Sequence, residues 1–335
     1  MDPSSRAPAP PADDPSEDLL GQWSDLEAGL SMVLVQPLAV QDFALKLRQY
    51  DRWMRWLMEQ DPDIALYMLF QLASTSSAGY SASHALVCAA LCHLVAGELR
   101  LPAAERDVLV QAAMTMNIAM TELQDKLAQQ NERLSAAQRQ TVEGHAYEGA
   151  LLLQRLGVAD RLCLEVVRIH HSVGQSRRTR GWGALEPADR LAHVLNAIDR
   201  YAAMISPRVT RSGRSASESV RALLDGQGDY HEEMAQALLR AVGVWPPGTF
   251  VQLDSDEIAV VVRRTDDART PAVAIVVDRE GRALRQPRLH LTAQAPQVRA
   301  PIPRGRIETP LNNLRLLQVG VFARRHLERR AGAPR

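Results

Sequence analysis

The 335-residue sequence is poor in cysteine and in aromatic residues. Its three cysteines, Cys88, Cys92 and Cys163, lack the number and spacing of a disulfide framework, which indicates a reducing environment. Cys88 and Cys92 lie four residues apart, on one face of a helix. This spacing favours two small buried side chains, and a cysteine-containing metal site is the alternative. Aromatic residues make up only 4% of the chain, and the many Ala and Leu residues favour helix over sheet.

The chain also lacks an excess of either charge, with 39 basic and 39 acidic residues and a formal net charge of zero. Such a balance provides no basic field for binding nucleic acid. No window reaches the ~20 apolar residues of a membrane-spanning helix. The acidic, proline-rich N-terminus has no signal-peptide pattern. We therefore expect a cytoplasmic protein that binds neither nucleic acid nor a membrane.

The pattern of apolar residues predicts a mainly α protein with a small C-terminal β-rich unit. Residues 1–20 contain five prolines and predict a disordered tail. Helical spacing then runs through an N-terminal segment, 21–75, and a larger domain, 76–242. Short Val- and Ile-rich runs separated by turn residues predict the β-rich unit at 245–295. Residues 296–335 are rich in arginine and read as a basic tail with a possible terminal helix.

Five polar residues stand out because each lies in an apolar helical context: His84, His145, His170, His171 and Asp199. Imidazole and carboxylate ligands brought together from several helices suit iron, manganese or zinc. Each residue alone is weak evidence, since a single histidine in a helix is more often a hydrogen-bonded structural group. We expect the five to converge on one pocket, with Met116 and Asn117 on its wall.

The order and spacing of these residues resemble the HD-GYP phosphodiesterases, a subgroup of the HD phosphohydrolase superfamily. The resemblance covers roughly residues 75 to 280. It rests on these segments in this order: His84, Ala112–Met120, Leu134-Ser135 leading to His145, His170-His171-Ser172, and Ile198–Ala203. It implies an HD-domain helical bundle, metal-dependent cleavage of cyclic di-GMP, and a role in signalling.

The sequence departs from the family pattern at positions that carry chemistry. The His-Asp doublet that names the family falls on Met116-Asn117, and the lysine that follows it falls on Met120. The glutamate that some family members have one turn before the first histidine is Tyr80 here, and the glutamate that follows the paired histidines is Ser172. The Gly-Tyr-Pro motif falls on Arg178-Thr179-Arg180. The resemblance is therefore to a degenerate member.

These losses predict a weakened metal centre. Two-metal hydrolases hold their ions about 3.5–4 Å apart. Asn117 is neutral and cannot bridge two cations as aspartate does, and the thioether of Met116 is a poor ligand for borderline ions. His145, His170, His171 and Asp199 could still hold one divalent ion, iron or manganese. The alternative is that they are inherited residues satisfied by hydrogen bonds, with no cofactor.

Arg177, Arg178 and Arg180 follow the paired histidines in a loop rich in Gly and Ser. Guanidinium groups grip phosphates through paired hydrogen bonds, so one interpretation is a phosphate-binding lip. The other is a solvated basic loop.

Three functions follow from the resemblance. The leading one is a catalytically degenerate signalling or scaffold protein that binds cyclic di-GMP or a protein such as a diguanylate cyclase or response regulator. The competing one is a metal-dependent cyclic di-GMP phosphodiesterase or phosphohydrolase with a reduced metal site. The third is an HD-related output domain without metal ligands, which the surviving histidines disfavour.

Overall fold

The chain is mainly helical and ends in a five-stranded antiparallel sheet followed by one helix, which confirms the predicted fold class. The computed structural model describes residues 15–75, 79–172, 181–206, 213–225, 230–303, 307 and 311–331. The helices are α1 Pro15–Val35, α2 Phe43–Gln60, α3 Pro62–Thr75, α4 Tyr80–Glu98, α5 Ala103–Thr115, α6 Thr121–Gln129, α7 Ala136–Arg155, α8 Arg161–Ile169, α9 Pro187–Ile205, α10 Ala216–Leu224, α11 His231–Val242 and α12 Asn313–Ala331. The strands are β1 Phe250–Leu253, β2 Ile258–Arg263, β3 Ala272–Val277, β4 Ala283–Leu291 and β5 Val298–Ile302. Short 3₁₀ turns occupy Pro37–Ala39, Ile118–Met120 and Trp182–Ala184.

Helix α4 is the central element of the helical part. It packs against α1, α3, α5, α9 and α11, and every residue from 81 to 92 is buried. Its length and hydropathy would also allow it to cross a membrane, but 78% of the apolar window is buried inside the protein. A helix that is apolar all round is expected when other helices surround it. Here α4 is a core helix.

Side-chain caps fix where the site-bearing helices begin. Ser135 and Gln138 form a reciprocal capping box at the start of α7. The Asp160 carboxylate accepts a hydrogen bond from the Cys163 amide at the start of α8. At the start of α3 the capping carboxylate is Asp61, which accepts from the amides of residues 63 and 64. A proline fits at the first helical position directly after such a cap, so Pro62 is the first residue of α3.

The sheet has the strand order β4-β3-β2-β1-β5, with every neighbouring pair antiparallel. Its central strands are buried on both faces, and every residue of β3 is buried. One face joins the main core and packs against α12. The other face forms a small core of its own, with Val251, Val261 and Ile275 at its centre. Burial on both faces explains why the sequence shows continuous apolar runs rather than alternation.

The segment expected to be a basic tail after residue 295 is part of the fold. Strand β5 pairs with β1, and Pro301 stands opposite Val251. The proline is tolerated because β5 is an edge strand and pairs on one side only. Helix α12 matches the expected terminal helix, and its Leu316 and Leu317 are buried in the main core.

The N-terminal boundary also differs from the expectation. Helix α1 begins at Pro15, inside the span of residues 1–20 expected to be disordered, and residues 1–14 lie outside the described residues. Proline is compatible with the first turn of a helix, so it marks a start here rather than a break. Residues of α1 and α3 share one hydrophobic core with the larger helical domain. The division at residues 75 and 76 stays a prediction.

Candidate metal centre

Three of the predicted residues form a histidine cluster: His145, His170 and His171. His145 lies in α7, and His170 and His171 directly follow the last residue of α8. The ring centroids of His145 lie 5.3 Å from His170 and 5.0 Å from His171, and those of His170 and His171 are 4.0 Å apart. One nitrogen from each ring lies within 4.8 Å of the other two. This spacing allows three imidazoles to bind one ion.

Backbone hydrogen bonds fix which nitrogen each buried histidine presents. Nδ1 of His145 lies 2.6 Å from the Val142 carbonyl, and Nδ1 of His170 lies 2.6 Å from the Val167 carbonyl. A carbonyl only accepts, so Nδ1–H must donate in both rings. Both Nε2 atoms are buried and have no hydrogen-bond partner among the described residues. A neutral imidazole held in this way is the usual form of a metal-binding histidine.

The electrostatics also keep these two rings neutral. Burial lowers the pKa of His145 below its ordinary value, against the opposing effect of the hydrogen bond to Val142. Burial, reinforced by the charge of His171, lowers the pKa of His170 to about 3. Near neutral pH both Nε2 atoms therefore carry a lone pair. These two buried Nε2 lone pairs, which have no hydrogen-bond partner among the described residues, therefore fit a divalent cation.

The other two predicted residues form a second cluster with a cysteine. His84 of α4 donates from Nε2 to Oδ1 of Asp199 of α9 at 2.8 Å. Sγ of Cys88, one helical turn after His84, lies 3.5 Å from the same Nε2. These three side chains also have donor atoms within 4.8 Å of one another. Tyr80 stacks on the His84 ring, with centroids 5.6 Å apart.

Asp199 links the two clusters electrostatically. Burial raises the pKa of Asp199, but the hydrogen bond from His84 and the charges of His84, His170 and His171 outweigh it and lower the pKa to about 2. Helix α9 also supplies Asn196, whose side-chain amide donates to the His170 carbonyl at 2.9 Å. One face of α9 therefore supports both clusters. The clusters are distinct ligand groups beside each other, and the expectation of a single shared pocket stays a prediction.

Met116 and Asn117, onto which the resemblance placed the family's His-Asp doublet, form the turn after α5, and that correspondence stays a prediction. The Met116 side chain is buried in the hydrophobic core, and Asn117 is half-buried ahead of the 3₁₀ turn that contains Met120. A Cβ atom on Gly149 of α7 would lie 3.6 Å from the Met116 carbonyl oxygen. The turn therefore passes against the helix that carries His145, yet it contributes an apolar side chain and a neutral amide.

The structure places two residues at the site, Cys88 and Asn196, that the sequence did not identify as site residues. Sequence analysis interpreted Cys88 as a small buried side chain first and a metal ligand second, and it did not single out Asn196. The spacing of four residues between His84 and Cys88 was the available signal, since residues at i and i+4 lie on one face of a helix. Arg177, Arg178 and Arg180 lie outside the described residues, so their role stays a prediction.

Comparison with known proteins identifies distant relatives. A scan of protein-family models finds no match. A curated protein, Cyclic di-GMP phosphodiesterase PA4108 from Pseudomonas aeruginosa, is 26% identical over 248 residues, which cover 71% of this chain and 53% of that protein. The chain is therefore distantly similar to this phosphodiesterase. It spans about half the length of this curated relative.

A solved structure also resembles this chain. It is Bd1817, a HDG"Y"P protein from Bdellovibrio bacteriovorus, with a TM-score of 0.49 and 14% sequence identity. The match covers 67% of this chain and 70% of that one.

Proposed function

We propose that this HD-GYP-like chain is a catalytically degenerate signalling protein of the cytoplasm that works by binding. Its ligand in this proposal is cyclic di-GMP itself or a signalling protein such as a diguanylate cyclase or response regulator. The relationship to a cyclic di-GMP phosphodiesterase supports the signalling context. A divalent metal, if bound, would be held by the retained histidines and Asp199, and would supply Lewis-acid and water-activating chemistry.

The observation that carries the proposal is the pair Met116-Asn117. A two-metal hydrolase needs an anion between its ions, because two dications about 3.5–4 Å apart repel each other strongly. Asn117 has nearly the shape of aspartate but no charge. Met116 packs into the core and offers no nitrogen. The retained cluster of His145, His170 and His171 has three imidazole rings and no carboxylate of its own.

A second candidate function is a phosphodiesterase or phosphohydrolase with a reduced metal site. The buried, unpartnered Nε2 atoms of His145 and His170 favour it, because they form a ready metal-binding pair. One ion held there could activate water without a second ion. The two candidates differ in turnover, which decides between them.

The test measures cyclic di-GMP cleavage by the purified full chain supplied with iron or manganese. We expect negligible turnover, and we expect Met116→His with Asn117→Asp to raise the bound metal because it restores an imidazole and an anion. Adding Met120→Lys should then raise turnover by returning a cation for the substrate phosphate. Asn131→Asp, at an exposed position, is the control for an added carboxylate. Turnover by the unmodified chain that His145→Ala abolishes would establish the second candidate instead.

The arginine loop is tested separately by binding. If Arg177, Arg178 and Arg180 form a phosphate-binding lip, replacing all three with Ala should weaken cyclic di-GMP binding measured by calorimetry. Replacing Arg279, Arg282 and Arg285, which are exposed in and beside strand β4, provides a control with the same change in charge. Equal affinities for the two triple variants would favour a solvated loop.

A further inference from the structure

A thiol lies within the cluster that His84 and Asp199 form. Cys88 and His84 lie one turn apart on α4, and Asp199 faces them from α9. Sγ of Cys88 and Oδ1 of Asp199 approach the same atom, His84 Nε2, at 3.5 Å and 2.8 Å. Cys88 and His84 are both buried, whereas the Asp199 side chain keeps 18% of its exposure. The cluster is therefore inside the bundle but reachable at one edge.

These distances are close to those of a tetrahedral zinc site. Zinc binds sulfur at about 2.3 Å, imidazole nitrogen at about 2.0–2.1 Å and carboxylate oxygen at about 2.0–2.2 Å. Tetrahedral angles between such bonds place sulfur and nitrogen about 3.5 Å apart, and nitrogen and oxygen about 3.4 Å apart. The first separation matches the one observed between Cys88 and His84. The second requires Asp199 to retreat from His84 by about half an ångström, within the reach of a side-chain rotation.

Charge also favours an ion at this cluster. A thiolate and a carboxylate together neutralise a dication, so burying the complete group adds no net charge to the interior. An ion at the cluster of His145, His170 and His171 would instead be bound by imidazole nitrogens alone, and no ligand would offset its charge. Zinc binds both thiolate and imidazole ligands well, whereas magnesium and manganese prefer oxygen ligands.

We propose that Cys88 is a metal ligand and that His84, Cys88 and Asp199 form a thiolate-containing zinc site. Binding forms one bond from zinc to each of Cys88 Sγ, His84 Nε2 and an Asp199 oxygen. The thiol proton leaves to solvent, and Nδ1 of the bound His84 carries the ring proton in place of Nε2, so the imidazole ligand is neutral and the complete group has no net charge. A water completes the fourth position at the exposed edge. The inference rests on the metal site of the proposed function and assigns its metal class, but it does not depend on the absence of catalysis.

The chain contains a matched control for Cys88. Cys92 lies one turn further along α4, is as fully buried as Cys88, and has no place in the His84–Asp199 group. Both cysteines can be replaced by Ala in a helix that already has many Ala residues. A difference between Cys88→Ala and Cys92→Ala in metal binding therefore reports ligation rather than the loss of a buried thiol.

The experiment uses the full chain, freed of metal and then titrated with zinc and with cobalt as a spectroscopic probe. We expect X-ray absorption of the zinc form to show one sulfur at about 2.3 Å, and the cobalt form to show a thiolate charge-transfer band. Cys88→Ala should abolish both signals and weaken zinc binding by at least about 100-fold, more than the loss of a supporting residue around a metal typically costs. Cys92→Ala and His145→Ala should keep the sulfur signal.

Several outcomes would overturn this assignment. Zinc bound by nitrogen and oxygen alone in the unmodified chain would exclude Cys88, and so would equal binding by Cys88→Ala and Cys92→Ala. Failure of the unmodified chain to take up zinc would exclude the site altogether. If Cys88→Ala does not fold, the absorption spectrum of the unmodified chain still decides, with Cys88→Ser as a second variant. The hydrolysis assay is separate, since an active enzyme with a sulfur ligand would refute only the proposed function.

Discussion

Arg263 joins the sheet to the helical part through buried charges. From the end of β2 its guanidinium donates to Asp61 at 2.5 Å and to Asp63 at 3.3 Å, and its Nε donates to the Gly320 carbonyl of α12. Asp61 and Asp63 lie at the start of α3. A single side chain therefore connects the turn before α3, strand β2 and the terminal helix.

We predict that Arg263→Met lowers the free energy of unfolding by about 3 kcal/mol. Removing one partner of a buried ion pair typically costs about 3–5 kcal/mol, because the remaining charge is left without compensation. The lower end applies here, since Asp63 keeps a hydrogen bond from Arg264 and Asp61 keeps Arg324 at 3.5 Å. Methionine retains most of the length of the arginine stem, so the loss is mainly electrostatic.

The measurement is urea unfolding followed by far-ultraviolet circular dichroism and by tryptophan fluorescence. The two probes must give coincident transitions before a single free energy is derived. Arg282→Met is the control, because its side chain is 73% exposed and its ion pairs with Asp278 and Glu280 are in water. Adding Asp61→Asn to Arg263→Met should recover part of the loss, since Asn still caps a helix. The reasoning is refuted if Arg263→Met and Arg282→Met shift the midpoint equally, or if Asp61→Asn deepens the loss.

Two further predictions concern stability. Gly248→Ala should lower the free energy of unfolding by about 1–3 kcal/mol, because φ is +91° and the new Cβ would lie 2.9 Å from Phe70 Cβ and 3.1 Å from the Tyr67 carbonyl oxygen. The control, Gly97→Ala, adds a Cβ in open space and should be neutral or stabilising. Equal unfolding midpoints for the two variants would contradict the argument. Burial and two nearby arginine charges lower the pKa of His93 to about 4. Between pH 6.5 and 4 the unfolded chain then binds a proton that the folded chain does not, so stability falls as the pH falls through this window. His93→Gln should remove about 1–2 kcal/mol of that fall when unfolding is compared at pH 7 and pH 4, and an unchanged pH dependence would show that His93 is not responsible.

Local sequence patterns predicted most of the fold, and they failed where partners distant in sequence decide the structure. The spacing of apolar residues predicts the helical part, and Val- and Ile-rich runs predict the first three strands. Strand β5 was missed because residues 296–335 were interpreted as a basic tail from their arginine content, and only the pairing of β5 with β1 at the sheet edge makes a strand there.

The candidate site was predictable in its members but not in its grouping. Five residues were named from their order in the chain, and the structure brings three of them to one cluster and two to another. The sequence gives the faces of α4 and α9, but it does not give the angle at which these helices cross. That packing brings Asp199 of α9 to His84 and Cys88, which already share one face of α4.

The number of anionic ligands limits how many metal ions the two clusters can hold more than the number of histidines does. Four imidazoles are enough nitrogen for two ions, but within the described residues Asp199 is the only carboxylate in either cluster. An ion at the histidine cluster would depend on the nearby charge of Asp199, and an ion at the His84 cluster would take that carboxylate as a ligand. Aspartate in place of Asn117 would supply the missing charge against the helix that carries His145. On the proposed function, the described residues therefore offer nitrogen ligands for two ions but only one carboxylate to offset their charge.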